Sequence, residues 1–297
     1  MSVTWQGLAE NRAALGELEQ LSGGGQSNIY QLRTYTLPNA PGPFVYKEYH
    51  KHLGEVSGHG LAGVIAVRES LDASEREWLD SSAIWPLRVV VERGAVTGVI
   101  MRLIPDEFFQ QITLPSGRAA RLPREAQHLL IARKLCEKLG WPFAESVQRL
   151  QLCTQLCYTM AFLHRRGIVF GDISPRNVLF RLTPNTGMTL VDCDAIRKVG
   201  TAAVVGQGNT PDWSPPEGRN APQSMRTDVY KLGLFILRVL SPGPGSSVNL
   251  DPEVVKNTLD AHGMHLLRRS LASDPDARPA AKDWYFYLRS LRGVSIS

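Results

Sequence analysis

"IVFGDISPRNVLF", residues 168–180, sets an Asp, a Pro, an Arg and an Asn between two apolar strips. The strips ask to be buried, so the polar middle reads as a loop held between short buried segments. Asp172 and Asn177 stand five positions apart in it. Asp, Pro and Asn are turn residues, and capping a turn is the plainest use for them. A second use is chemical. Aspartate and asparagine oxygens are hard ligands suited to Mg²⁺. Downstream, the apolar run TLV ends in Asp192, followed by Cys193 and Asp194. Such groups, brought together by neighbouring strand ends, are able to hold a metal–phosphate complex and leave one carboxylate as a base.

The rest of the chain sets bounds on that reading. Its 297 residues suffice for one large domain or two lobes. Hydrophobic content of 43% and charged content of 21% are those of an ordinary globular protein. A net charge of +5 without a dense Lys/Arg run argues against a nucleic-acid partner. Cys136, Cys153, Cys157 and Cys193 form no CxxC pair or zinc-type spacing, so a reduced, cytoplasmic protein is expected. The start of the chain lacks the pattern of a signal peptide, and no apolar run is long enough to span a membrane, so no membrane partner is expected.

Periodicity predicts an α+β protein of two lobes. Residues 21–49 read as strands, with Phe44, Tyr46 and Glu48 alternating against Val45, Lys47 and Tyr49. A helix is predicted over 61–82, then two strands, LRVVVER and VTGVIMRLI. Residues 106–123 read as a loop, and 124–139 and 144–166 as helices. Short strands are predicted at 178–180 and 188–192, and helices from 224 to a closing one at about 279–292. The expected division is a small β-rich lobe over 1–104 and a larger helical lobe over 105–297, together one domain.

Six stretches, met in order, resemble the eukaryotic-type protein kinase family, in a bacterial Ser/Thr-like form with Asp-Cys-Asp in place of Asp-Phe-Gly. Asp172-Ile173-Ser174-Pro175-Arg176-Asn177 resembles the catalytic loop, and Asp192-Cys193-Asp194 the metal-binding triplet that follows it. Thr210-Pro211-Asp212-Trp213-Ser214-Pro215-Pro216-Glu217 resembles the end of the activation segment. Thr227-Asp228-Val229-Tyr230-Lys231-Leu232-Gly233 resembles the start of the large-lobe helix with a buried Asp, and Asp274–Pro279 the late segment carrying Arg278. Gly23-Gly24-Gly25 takes the place of the phosphate-covering loop, and Lys47 that of the strand lysine.

The resemblance implies roles. Asp172 would be the base, with Asn177 and Asp192 holding Mg²⁺ or Mn²⁺ on ATP and Asp194 as a further metal ligand. Lys47 would contact the α- and β-phosphates, oriented by a helix glutamate; Glu75 is favoured, with Glu69 and Glu77 as alternatives. Met101 would back the adenine pocket and Leu103 line its hinge. Glu217 and Arg278 would form a structural ion pair, and Asp228 would be structural too. Thr210 resembles the threonine beside the base in Ser/Thr kinases, and Arg176 would serve on the substrate side. The implied reaction is transfer of the ATP γ-phosphate to Ser or Thr hydroxyls of proteins. The competing readings are a catalytically weak or inactive scaffold and a small-molecule phosphotransferase of the aminoglycoside or choline type. A partner phosphatase and a metal-binding adhesion-type domain protein are implied as further partners.

Departures from the family bear on mechanism. Phe170-Gly171 stands where the family has His-Arg, which predicts activity that does not depend on phosphorylation within 199–212. Ser174 replaces a lysine that stabilises the moving phosphoryl group, and Arg176 is the candidate substitute.

Overall fold

The computed structural model describes residues 5–54, 56–113, 117–201, 210–218 and 221–294. They fall into two compact units, Met1–Ile104 with Leu190–Gln207, and Pro105–Thr189 with Gly208–Ser297. The first is β-rich and the second mainly helical, so the chain is of the α+β class.

The first unit is built on a six-stranded sheet in the order β1-β5-β6-β4-β3-β2. Its strands are β1 (Ala9–Asn11), β2 (Leu18–Gly23), β3 (Ser27–Leu32), β4 (Phe44–Tyr49), β5 (Pro86–Glu92) and β6 (Ala95–Arg102). β1 runs parallel to β5 and the other neighbours pair antiparallel. Side chains alternate faces along a strand. Phe44 and Tyr46 therefore join Leu87, Val90 and Ile100 in one core cluster. Val45 and Tyr49 join Val89, Val99 and Met101 in the other, beneath Leu61, Ala62 and Ile65 of helix α1 (Gly58–Glu69). Lys47 has the parity of Val45 and Tyr49, and this puts its charged chain on the helix-covered face. At Gly98 of β6 a Cβ would collide with the Lys47 carbonyl and the Tyr46 ring of β4.

The helix predicted over 61–82 is two. α1 ends at Glu69 and α2 spans Ala73–Ser82. Asp72 makes the break, because its carboxylate accepts the Glu75 N–H at 2.8 Å and caps a new helix. The two are tied by buried Arg68, which donates to both oxygens of Asp80 at 2.7 Å.

In the second unit the expected loop over 106–123 contains a hairpin, β7 (Phe109–Thr113) paired with β8 (Ala119–Pro123). Its strands are short and, among the described residues, only the polar Gln110 is buried, so the apolar alternation that reveals a strand is weak. The helix expected over 124–139 is shorter. Ile131 and Ala132 are extended, and α3 covers only Arg133–Leu139. α4 (Ser146–Arg165) begins in a capping box between Glu145 and Gln148 and packs on α5 (Met225–Leu240) and α7 (Ala281–Val294). α5 is buried from Thr227 to Val239, as expected of a helix at the centre of a lobe. α6 (Ala261–Ser270) packs between α5 and α7. Among the described residues, no helix is long and apolar enough to cross a membrane.

Candidate active site

In the first unit the chemistry gathers around Lys47, at the middle of β4 opposite Ile29 and Val99. Its ammonium donates to Asp194 Oδ1 at 2.8 Å and to Asp192 Oδ1 at 2.9 Å. Tyr49, two residues along the same face, donates its hydroxyl to Asp194 Oδ2 at 2.7 Å. Burial alone would lower the Lys47 pKa; Asp194 and then Asp192 reverse this and hold it above the usual lysine range. Burial, then the Asp194 charge, pushes the Tyr49 hydroxyl well up, so it stays a donor.

The two aspartates differ in surroundings. The Asp194 side chain is 2% exposed and that of Asp192 55% exposed. Asp192 also sits in the left-handed region at φ +57°, where aspartate is among the few tolerated residues. Ile84 fixes the approach to it by donating its N–H to Leu190 at 2.8 Å.

This geometry bears on two expectations. The partner of Lys47 is not a helix glutamate. Glu75 lies in the first turn of α2, and the only acid in α1, Glu69, faces Arg68 and Arg88. Asp194, expected as a further metal ligand, is buried and accepts one hydrogen bond at each oxygen, from Lys47 and from Tyr49.

Gly23 ends β2 opposite Asn28, and Gly24 and Gly25 lie in the exposed turn to β3, where Gly24 donates to Ser27 O at 2.9 Å. Met101 is buried in the cluster with Val45 and Val99. Leu103, partly buried against that cluster, donates its N–H to Pro43 O at 2.9 Å.

In the second unit the chemistry gathers on the loop after α4. Asn177 Nδ2 donates to the Asp172 carbonyl at 3.0 Å and to its carboxylate Oδ2 at 2.9 Å. The Asn177 N–H faces the Ser174 carbonyl and hydroxyl at 3.2 and 3.4 Å. With its amide donors spent on Asp172, Asn177 retains its carbonyl oxygen as an acceptor for a hard cation. Asp192, exposed and oxygen-only, is a second donor of the same kind. Each is, by itself, an oxygen donor of the kind that suits Mg²⁺ or Mn²⁺ better than a softer metal.

Asp228, fully buried in α5, supports the loop from below. Phe170 and Gly171 donate their N–H groups to its carboxylate at 2.8 and 2.7 Å, and His164 Nε2 stands 3.1 Å away. Gly171 has φ +80°, which explains a glycine where the family carries Arg. Sequence reasoning missed Lys231, one turn further along α5. It is 1% exposed and donates to the Gly171 carbonyl at 2.6 Å. Its signal was a lysine inside the otherwise apolar run that follows Asp228.

Glu217 receives Arg278 Nη1 and Nη2 at 2.8 and 2.7 Å. Thr210 accepts the Trp213 N–H through its carbonyl at 3.1 Å. Arg176 is exposed, and its charge acts on Glu125. Residues 202–209, within the segment expected to act without phosphorylation, lie outside the described residues.

Comparison with known proteins agrees with this arrangement. The family model for protein tyrosine and serine/threonine kinases matches residues 140–280. The chain is 28% identical over 102 residues to serine/threonine-protein kinase PknB of Mycobacterium leprae, covering 33% of this chain and 16% of that protein. It is 28% identical over 104 residues to serine/threonine-protein kinase D of Synechocystis, covering 32% and 20%. Against the dual specificity protein kinase zak2 of Dictyostelium discoideum it is 24% identical over 212 residues, covering 64% and 32%. The chain thus spans a third or less of the length of these relatives. Over residues 140–280 the chain is thus similar to the protein kinase family.

Proposed function

We propose that this chain is a protein kinase that transfers the γ-phosphate of ATP to Ser or Thr hydroxyls of protein substrates. The observation that carries the reading is the Asp172–Asn177 clamp. One amide holds both the backbone and the carboxylate of the expected base, and so fixes the direction in which that carboxylate faces a substrate hydroxyl. Asn177 and Asp192 are the residues that would hold Mg²⁺ or Mn²⁺. When bound, the metal neutralises phosphate charge and leaves the protein mainly the work of positioning. Lys47 supplies a buried cation for the phosphates, Gly23–Gly25 offer backbone N–H groups, and Met101 and Leu103 provide apolar surface for the base.

Protein rather than small-molecule substrates are favoured by the Glu217–Arg278 pair, which braces the segment that would present a polypeptide. Ser/Thr preference follows from Thr210 and from the named activities of two relatives. The cytoplasm, a partner phosphatase and a metal-binding adhesion-type domain protein belong to the same reading through the family resemblance.

The test is transfer of labelled γ-phosphate by the purified protein, with Mg²⁺ and then Mn²⁺. A mixed protein pool and, separately, amino-alcohols and aminoglycosides are offered, with an Asp172→Ala sample alongside. Label on Ser or Thr that disappears in the variant is the expected result. Label confined to small molecules moves the chain to the other enzyme class. No transfer with nucleotide binding intact makes it a scaffold.

A further inference from the structure

We infer that Asp194, braced by Tyr49, is the positioning residue for Lys47 and takes over the task of a helix carboxylate. The inference deepens the phosphotransfer reading and rests on it for the purpose of the lysine. The contacts themselves do not depend on that reading.

A buried ammonium needs a fixed counter-charge, or it withdraws from the position a phosphate would use. Helix α1 covers the face of β4 that carries Lys47, yet it offers no carboxylate there. Its buried face is Leu61, Ala62, Val64, Ile65, Val67 and Arg68, and its one acid is engaged at the far end with two arginines. The counter-charge comes instead from the segment that follows Leu190. Asp194 is buried, and each of its oxygens has one assigned donor, Lys47 Nζ on Oδ1 and the Tyr49 hydroxyl on Oδ2. A carboxylate held at both oxygens cannot rotate away, so it fixes the ammonium that it holds. Lys47 and Tyr49 lie on the same face of one strand, which makes the bracing cooperative. Asp192 touches the same ammonium from an exposed position. The segment therefore separates two duties: Asp194 anchors the lysine and Asp192 stays open to solvent and cation. One consequence concerns control. The anchor travels with Asp192, not with a helix, so displacement of α1 does not by itself break the lysine's pair.

The test compares the unaltered protein with Asp194→Asn, Asp192→Asn, Tyr49→Phe and Glu75→Gln. Reductive methylation of Lys47, read by mass spectrometry without nucleotide, reports whether the ammonium is held. Calorimetric titration with a non-hydrolysable ATP analogue over a series of Mg²⁺ concentrations reports affinity and metal demand. Asp194→Asn should raise Lys47 methylation severalfold and weaken the analogue about tenfold, the cost of one charge-assisted bond, with the half-saturating Mg²⁺ unchanged. Asp192→Asn should raise the half-saturating Mg²⁺, and Glu75→Gln should change neither readout. Rescue of the lysine by Asp194→Glu, with methylation below that of Asp194→Asn, is also expected. The inference is overturned if Asp194→Asn raises metal demand as Asp192→Asn does while Lys47 stays protected, or if Glu75→Gln exposes Lys47. Should Asp194→Asn fail to fold, Tyr49→Phe decides: a smaller rise in methylation supports the anchor, and none overturns it. If the unaltered protein binds no nucleotide, the phosphotransfer reading falls, and the methylation arm still decides what holds Lys47.

Discussion

Arg278 grips Glu217 with two parallel hydrogen bonds, 2.8 and 2.7 Å long, across 61 positions of sequence. The guanidinium is fully buried and also donates to the Ala272 and Arg226 carbonyls, so it is satisfied from several sides. Replacing Arg278 with Met leaves these acceptors and a half-buried carboxylate without their donor. The expected cost is about 3 kcal/mol of stability, read as a lower urea midpoint with an unchanged slope.

The same pair predicts a pH dependence. Burial tends to raise the Glu217 pKa, but the Arg278 hydrogen bonds, a backbone N–H and the Arg278 charge outweigh it and hold it below its ordinary 4.5. A carboxyl with a depressed folded pKa contributes stability that is complete above its unfolded pKa and is lost as pH falls through the folded value. Glu217→Gln should therefore melt below the unaltered protein at pH 7, and the gap should close as pH falls below 4.5. A gap that stays constant into acid would show that the charge of Glu217 contributes nothing.

Lys231 is placed to hold, from α5, the loop that carries Asp172. Its ammonium donates to the carbonyl of Gly171, the residue before Asp172, and to Gln223 Oε1 at 3.3 Å. Lys231→Met keeps the volume of the chain and removes the charge. Phosphate transfer should fall about 100-fold, the low end of the range for losing one preorganised electrostatic group, while nucleotide affinity changes little. An equal loss in affinity and turnover would assign Lys231 to general stability.

How legible this was follows the range of the interactions. The loop at 168–180 and the parity of Lys47 on β4 could be read because they depend on neighbours in sequence. The pairing of Lys47 with Asp194 spans 147 positions and leaves no local pattern. The break between α1 and α2 was hidden because Asp72 caps a helix inside a stretch whose apolar spacing runs on. The β7–β8 hairpin was hidden because, among its described residues, none of the apolar ones is buried, and burial is what writes alternation into a strand. Lys231 was visible as a residue but not as a partner, since its role depends on a left-handed glycine 60 positions earlier.

The cysteines give a separate check on the core. All four are buried and free. Burial pushes the Cys153 thiol up to about 12 and those of Cys157 and Cys193 well above their ordinary value. Thiolate is the reactive form, so these groups should be inert at neutral pH. Ellman's reagent should label none of the four rapidly in the native protein and all four in guanidinium. Rapid labelling of Cys193 in the native state would mean that the Asp192–Asp194 segment opens.

The departures from the family pattern are built into this backbone, so restoring the family residues should not improve the protein. Gly171 has φ +80°, and any side chain there pays about 1–2 kcal/mol for the left-handed conformation. Ser174 is 1% exposed, and its hydroxyl faces the Asn177 N–H. A lysine at 174 would have to bury a long charged chain or push the loop outward, and either moves Asn177 away from Asp172. Gly171→Arg and Ser174→Lys are each expected to lower both the melting temperature and the transfer rate, and the double variant to lower them further. Faster transfer by Ser174→Lys with unchanged stability would show instead that the loop retains room for the family lysine.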